Sequence, residues 1–198
     1  MKIKNSFKNP FEIYNENKLL VVGLLFFILT SLFTYSSDIL LFGSLKIVNL
    51  YKQTIWMAII NLAITVVANW LALFVYSKIS YTKTRWIDVL NVILIAYIPI
   101  YLLAYISALP IVEHASMRVE LAVLDSGFNA PNIALSVLAV LVVFGFVAIA
   151  SLVYFFYLLI VGTKIAINSK RKYDGFVIII LILVINTILQ ILNPFLHL

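Results

Sequence analysis

Five apolar stretches, each long enough to cross a bilayer as a helix, leave few folds open to this chain. They run over about 19–35, 54–76, 87–109, 133–161 and 176–192. A hydrocarbon core about 30 Å thick needs roughly 20 apolar helical residues, within a range of about 17–25. An open sheet edge finds no hydrogen-bond partner in lipid, so each stretch is expected to be a helix. The fourth is the longest and is expected to tilt or to extend past the headgroups. Charged residues make up 11% of the 198 positions, against about 25% in soluble domains. So few polar groups cannot cover a water-facing surface. The predicted fold is an all-α integral membrane protein, a single domain of five transmembrane helices.

The cations between the spans predict orientation. Lys2, Lys4, Lys8 and Lys18 precede the first span. Lys78, Lys83 and Arg85 lie between the second and third, and Lys164, Lys170, Arg171 and Lys172 between the fourth and fifth. These three segments share one side of a five-span bundle and hold eleven of the fourteen cations; Lys46, Lys52 and Arg118 lie on the other. The positive-inside rule then places the N-terminus in the cytoplasm and the C-terminus outside. Residues 1–18 become a cytoplasmic lead and 110–131 an external loop. The net charge of +6 is concentrated beside apolar spans, where anionic lipid headgroups rather than nucleic acid are the expected partner. The first span has a basic flank, but "LFTYSSDIL" offers no small-residue cleavage site and four spans follow, so a retained helix is expected rather than a signal peptide.

The segments around the spans carry local signals. In "NPFEIYNENK", Asn9 is placed to cap, Pro10 to open a helix and Glu12 to complete the cap. Asn-Pro-Phe recurs at Asn193–Phe195, where Pro again marks a helix boundary. "INSKRKYDG" (Ile167–Gly175) reads as a charged turn between two spans, with Asp174-Gly175 making the tight reversal. Val112, Ala115, Val119 and Ala122 fall at helical spacing, with Glu113, His114, Glu120 and Asp125 mostly off that stripe. Such a pattern predicts an amphipathic helix on the outer membrane interface.

Chemistry is sparse. Cysteine is absent, which excludes disulfides and thiolate nucleophiles. No Gly-rich phosphate loop or Gly-x-Ser-x-Gly elbow occurs. "EHASMRVE" lacks a two-histidine zinc spacing, so Glu113, His114, Arg118 and Glu120 read as a solvated face. No catalytic residue, metal or cofactor is expected. No span carries a central ionisable residue, the usual mark of a proton relay; Asp88 sits at a span end. The spans carry neutral polar groups instead. Asn61, Thr65 and Asn69 recur at steps of four on the second span. The third carries Asn91, Tyr97, Tyr101 and Tyr105, with Pro99 among them, and the fifth carries Asn186 and Gln190. Two readings are open. These groups hydrogen-bond between helices, or they line a pocket or pore beside a Pro-broken helix. Gly145, Ala148 and Ser151 predict a small-residue face for a close neighbour.

Three segments carry a resemblance: "NPFEIYNENKLLVVGLLFFI", "TRWIDVLNVILIAYIPIYLLAYI" and "YFFYLLIVGTKIAINSKRKYDGFVIIILI". The short polar lead, the acidic residue before a span with a central Tyr-x-Pro, and the Gly-x-Lys after an aromatic span end resemble the Yip (Ypt-interacting protein) family, in its small bacterial five-span branch. That resemblance implies a five-helix membrane bundle and no catalytic residues. In eukaryotes such proteins act as adaptors for small GTPases in vesicle traffic, largely through longer N-terminal cytoplasmic domains.

The function expected from these features is that of an integral scaffold or accessory subunit in a complex of the bacterial inner membrane, not an enzyme. Its expected partners are the lipid bilayer and a membrane protein or further copies of itself. Lys164, Lys170, Arg171 and Lys172 would meet lipid or that partner. The alternative is a small transporter or channel for a neutral or lipidic solute.

Overall fold

The computed structural model describes residues 9–44, 46–126, 133–171 and 173–192. Lys2, Lys4, Lys8, Lys172, Asn193–Phe195 and His197 lie outside the described residues. The element order is α1 (Pro10–Ile13), α2 (Glu16–Ser36), β1 (Leu40–Phe42), β2 (Lys46–Val48), α3 (Ile55–Ser80), α4 (Trp86–Ala96), α5 (Ile98–Ser107), α6 (Pro110–Ser126), α7 (Leu135–Ala166) and α8 (Asp174–Leu192). Five helical segments are long and apolar enough to cross a membrane: Glu16–Ser36, Ile55–Ser80, Trp86–Ser107, Leu135–Ala166 and Asp174–Leu192. The chain is a multi-pass helical bundle of the membrane type.

Helices α4 and α5 together form the third span and the centre of the bundle. Of its most apolar 18-residue stretch 72% is buried, against 6% for α7. Helix α4 packs against α2, α3 and α7, and α5 packs against α7 and α2. Val89, Ile93, Tyr97, Ile100, Tyr101 and Ala104 fill the core with Phe155 and Leu159 of α7 and Ile178 and Ile182 of α8. The span is expected from sequence as one helix over about 87–109 and is divided at Tyr97. Pro99 has no amide to donate to the Ile95 carbonyl, so the regular ladder stops there.

Close approach fixes α2. A Cβ on Gly23 would sit 2.6 Å from the Leu94 Cβ, so only glycine lets these two helices meet at this distance. The small-residue face of α7 behaves otherwise. A Cβ on Gly145 meets nothing within 4 Å, so no neighbour uses the close approach expected at Gly145.

Two local expectations are corrected. Asn9 makes no side-chain cap bond, and α1 closes after four residues. The Asn9 amide oxygen is buried without a partner among the described residues. The Asp174-Gly175 pair does not make the reversal in "INSKRKYDG". It opens α8, where the acidic side chain suits the positive end of the helix dipole. The reversal is a Schellman cap on α7. Asn168 takes a left-handed φ of 48°. The amide of Ser169 reaches back to Lys164 O at 2.9 Å, and that of Asn168 to Ile165 O at 3.1 Å. The Ser169 hydroxyl then donates to the buried Asp174 carboxylate and ties the cap to the next helix.

Candidate functional site

The most organised feature of the interior is a β-hairpin inserted among the helices. Between α2 and α3 the chain forms an antiparallel ladder pairing Leu40 with Val48, Leu41 with Ile47 and Phe42 with Lys46. Side chains alternate across a strand, and here both faces are covered. Leu40 and Phe42 pack with Leu189 of α8, while Leu41 joins the central core. The neck is closed by Tyr51 N–H donating to Asp38 O at 2.6 Å. Asp38 and Leu50, on either side of it, both take positive φ, 50° and 59°.

Non-helical backbone survives at membrane depth only where protein satisfies its amides, and the tip of this hairpin meets that condition. Gly43 N–H donates to Thr65 Oγ1 at 2.9 Å, and Ser44 N–H donates to Asn186 Oδ1 at 2.7 Å. Asn186 Nδ2 donates to Asn69 Oδ1 at 3.1 Å and to Ile182 O at 2.8 Å. Asn69 Nδ2 donates to the Tyr97 hydroxyl at 2.9 Å and to Thr65 O at 2.8 Å. Ser44 Oγ lies 2.8 Å from the same Tyr97 hydroxyl. Either hydroxyl of that pair can donate. Gly43 is required here. Its φ is +70°, and a Cβ would lie 2.8 Å from Asn186 Oδ1.

The expected polar residues thus divide by place. Thr65, Asn69, Tyr97 and Asn186 converge on the hairpin tip, joined by Gly43 and Ser44, which sequence reasoning did not single out. Asn61 belongs to a second group: its Nδ2 donates to Gln53 Oε1 at 3.3 Å, and Gln53 donates to Ile39 O at 2.5 Å. Asn91 lies apart, donating to Glu16 O at 3.2 Å, with its Oδ1 buried and unpartnered among the described residues. Tyr101 is fully buried, its hydroxyl without a partner among the described residues and its ring tilted against Tyr97 at 5.8 Å. The next turn carries Tyr105, whose hydroxyl is 3.2 Å from Thr30 Oγ1 of α2. Gln190 is half-buried and makes no hydrogen bond among the described residues. The hairpin did leave a trace in the sequence. "ILLFGSLKIV" is an apolar run of ten residues broken by Gly-Ser, a length that suits a re-entrant segment and not a span.

The charged groups lie at the ends. Arg85 bonds Asp88 Oδ1 at 2.6 Å and Glu16 Oε2 at 2.5 Å, joining the starts of α2 and α4. The Asp88 carboxylate and then that of Glu16 raise the affinity of this guanidinium for its proton above the ordinary value. Lys164 is half-buried in the last turn of α7, while Lys170 and Arg171 are exposed in the turn that follows. The Arg171 guanidinium lies 5.8 Å from the Tyr173 ring. On α6, Val112 and Ala115 are buried, Val119 and Ala122 half-buried, and His114, Arg118, Glu120 and Asp125 exposed. Helix α6 packs against α7. Among the described residues no three His, Cys, Asp or Glu side chains come close enough to hold a metal ion. Comparison of the chain with family models, curated proteins and solved structures yields no match.

Proposed function

We propose that this protein is a non-catalytic scaffold or accessory subunit of a membrane complex in the bacterial inner membrane. Its N-terminus would be cytoplasmic and its C-terminus outside, the layout that resembles the Yip family. One observation carries the reading. Four neutral polar residues of the bundle interior, Thr65, Asn69, Tyr97 and Asn186, are spent on each other and on the hairpin tip. A chain that commits Asn69, Tyr97 and Asn186 to holding its own backbone keeps none of them for a solute. The remaining apolar surface is largest along α7, where Val142, Val143, Phe146, Ile149 and Val153 are exposed in a row. A lateral partner helix would pack there. The exposed cations Lys170 and Arg171, with Lys172, would meet its cytoplasmic part or anionic lipid.

Mild-detergent purification from the native membrane, followed by mass spectrometry, tests this. One partner at matching abundance is expected, and it should be lost on the Phe146→Ala, Ile149→Ala double substitution. A monomer that purifies alone, or a partner indifferent to those substitutions, would end the proposal.

A further inference from the structure

Near the neck of the hairpin, β2 keeps an edge that no other strand pairs among the described residues. The sheet has two strands, and β1 packs against α3. In an antiparallel strand successive residues turn their N–H and C=O groups alternately toward the partner and away from it. Over Lys46–Val48, either Ile47 or the pair Lys46 and Val48 therefore presents them on the side away from β1. Past the strand, Asn49 and Leu50 make no backbone hydrogen bond among the described residues. This edge meets a cavity of about 310 Å³, bounded elsewhere by Ser107 at the end of α5, by α6 and by Phe144 of α7. Ile47, Val48 and Asn49 all line it. Side chains alternate across a strand, so a cavity that touches three residues in a row abuts the edge and not one face.

Charge selects what pairs there. Glu113 and Glu120 both line the cavity. Two helical turns separate them, so they share one face of α6. Among the described residues the ion pairs are those of Arg85 with Glu16 and Asp88, so neither Glu113 nor Glu120 has one. The neighbouring cations do not offset them. Arg118, two positions before Glu120, stands about 200° round the helix from it, and neither Arg118 nor Lys46 lines the cavity. Two carboxylates beside a free strand edge match an extended segment that carries a lysine or arginine, and repel an acidic one. In strand addition the main chain supplies the hydrogen bonds and flanking side chains supply the choice of partner.

We propose that β2 receives a short extended segment of a partner protein as a third strand, with a lysine or arginine of that segment beside Glu113 and Glu120. The cavity lies at the end of the third span away from Arg85, which is the outer side in the proposed topology. The site is independent of the row on α7 proposed for a partner helix, because it uses none of those residues.

The test uses the full chain in phosphatidylcholine nanodiscs and a fluorescein-labelled peptide with blocked ends, Thr-Val-Lys-Val-Thr, read by fluorescence anisotropy. N-methylation of one alternate set of peptide amides should abolish binding and of the other set leave it unchanged, because an added strand pairs through one edge. Exchanging the peptide lysine for glutamate should also abolish it. The double substitution Glu113→Gln, Glu120→Gln should weaken binding about fivefold, the most that a solvent-facing ion pair contributes. Ser116→Trp, which fills the cavity from an exposed position on its lining, should prevent binding with helix content unchanged. A photoreactive leucine in place of one peptide valine should leave its adducts at Ile47–Leu50 and Met117. Four outcomes would overturn the proposal: no binding beyond that of empty nanodiscs, equal binding of the two methylated peptides, adducts confined to other helices, or unchanged affinity in the glutamine pair.

Discussion

Replacing Asn186 with leucine tests whether the hairpin is held by hydrogen bonds or merely enclosed by apolar packing. Leucine is close in size but removes both functions of the amide. Ser44 N–H loses its acceptor at 2.7 Å, and Asn69 Oδ1 loses its donor at 3.1 Å. Each is left in an interior without water. Orphaning one buried polar group costs about 1–3 kcal/mol, so the two together cost about 2–6 kcal/mol. Chains unfolded in a membrane find other partners, which holds single interhelical bonds to an average of about 0.6 kcal/mol and a maximum near 1.7. The expected loss is therefore at the lower end, about 2–3 kcal/mol. Thr187→Val supplies the control. Thr187 is one residue further on the same helix, exposed, and among the described residues its side chain bonds only Leu183 O of its own turn. It should change stability by less than about 0.5 kcal/mol. The assay is SDS-driven unfolding from bicelles, followed by circular dichroism. In a double-mutant cycle, Asn69→Leu and Asn186→Leu should couple by about 0.6–1.7 kcal/mol. Equal stability of Asn186→Leu and Thr187→Val, or no coupling, would refute the account of the network.

Glycine positions offer a second comparison. Gly23→Ala should destabilise by about 1–3 kcal/mol, because a Cβ would stand 2.6 Å from that of Leu94. Gly145→Ala, with nothing within 4 Å, should be neutral or gain up to about 1 kcal/mol from helix propensity; the same unfolding assay reads both. Orientation is open to thiol mapping, since the chain contains no cysteine. Lys52 and Lys83 are both exposed. An impermeant maleimide added to intact spheroplasts should label Lys52→Cys and leave Lys83→Cys unlabelled until the membrane is opened. The reverse pattern would invert the proposed topology.

The spans were legible in the sequence because crossing a hydrocarbon layer is a local requirement. A run of about twenty apolar residues meets it whatever the neighbours are, and the helices α2, α3, α7 and α8 overlap the stretches read from hydropathy. The steps-of-four polar residues were also visible, as was the hydrophobic stripe of α6. What they do was not visible, because a hydrogen bond between Asn69 and Asn186 spans 117 positions of chain and leaves no local mark. Periodicity placed Asn61, Thr65 and Asn69 on one face. The tertiary structure sends the last two to the hairpin and the first to Gln53. It likewise separates Asn91 from Tyr97, six residues later on the same span.

The sequence by itself therefore determined the solvent of this protein and the number of times the chain can cross it, since both depend on composition within a window of one span. Only the tertiary structure decided that Leu40–Phe42 and Lys46–Val48, between two spans, pair as a hairpin within the bundle. That choice rests on amides of Gly43 and Ser44 finding acceptors on two other helices. It also decided that β2, α6 and α7 leave a cavity beside Glu113. Packing sets such a gap, and packing depends on residues far apart in the chain.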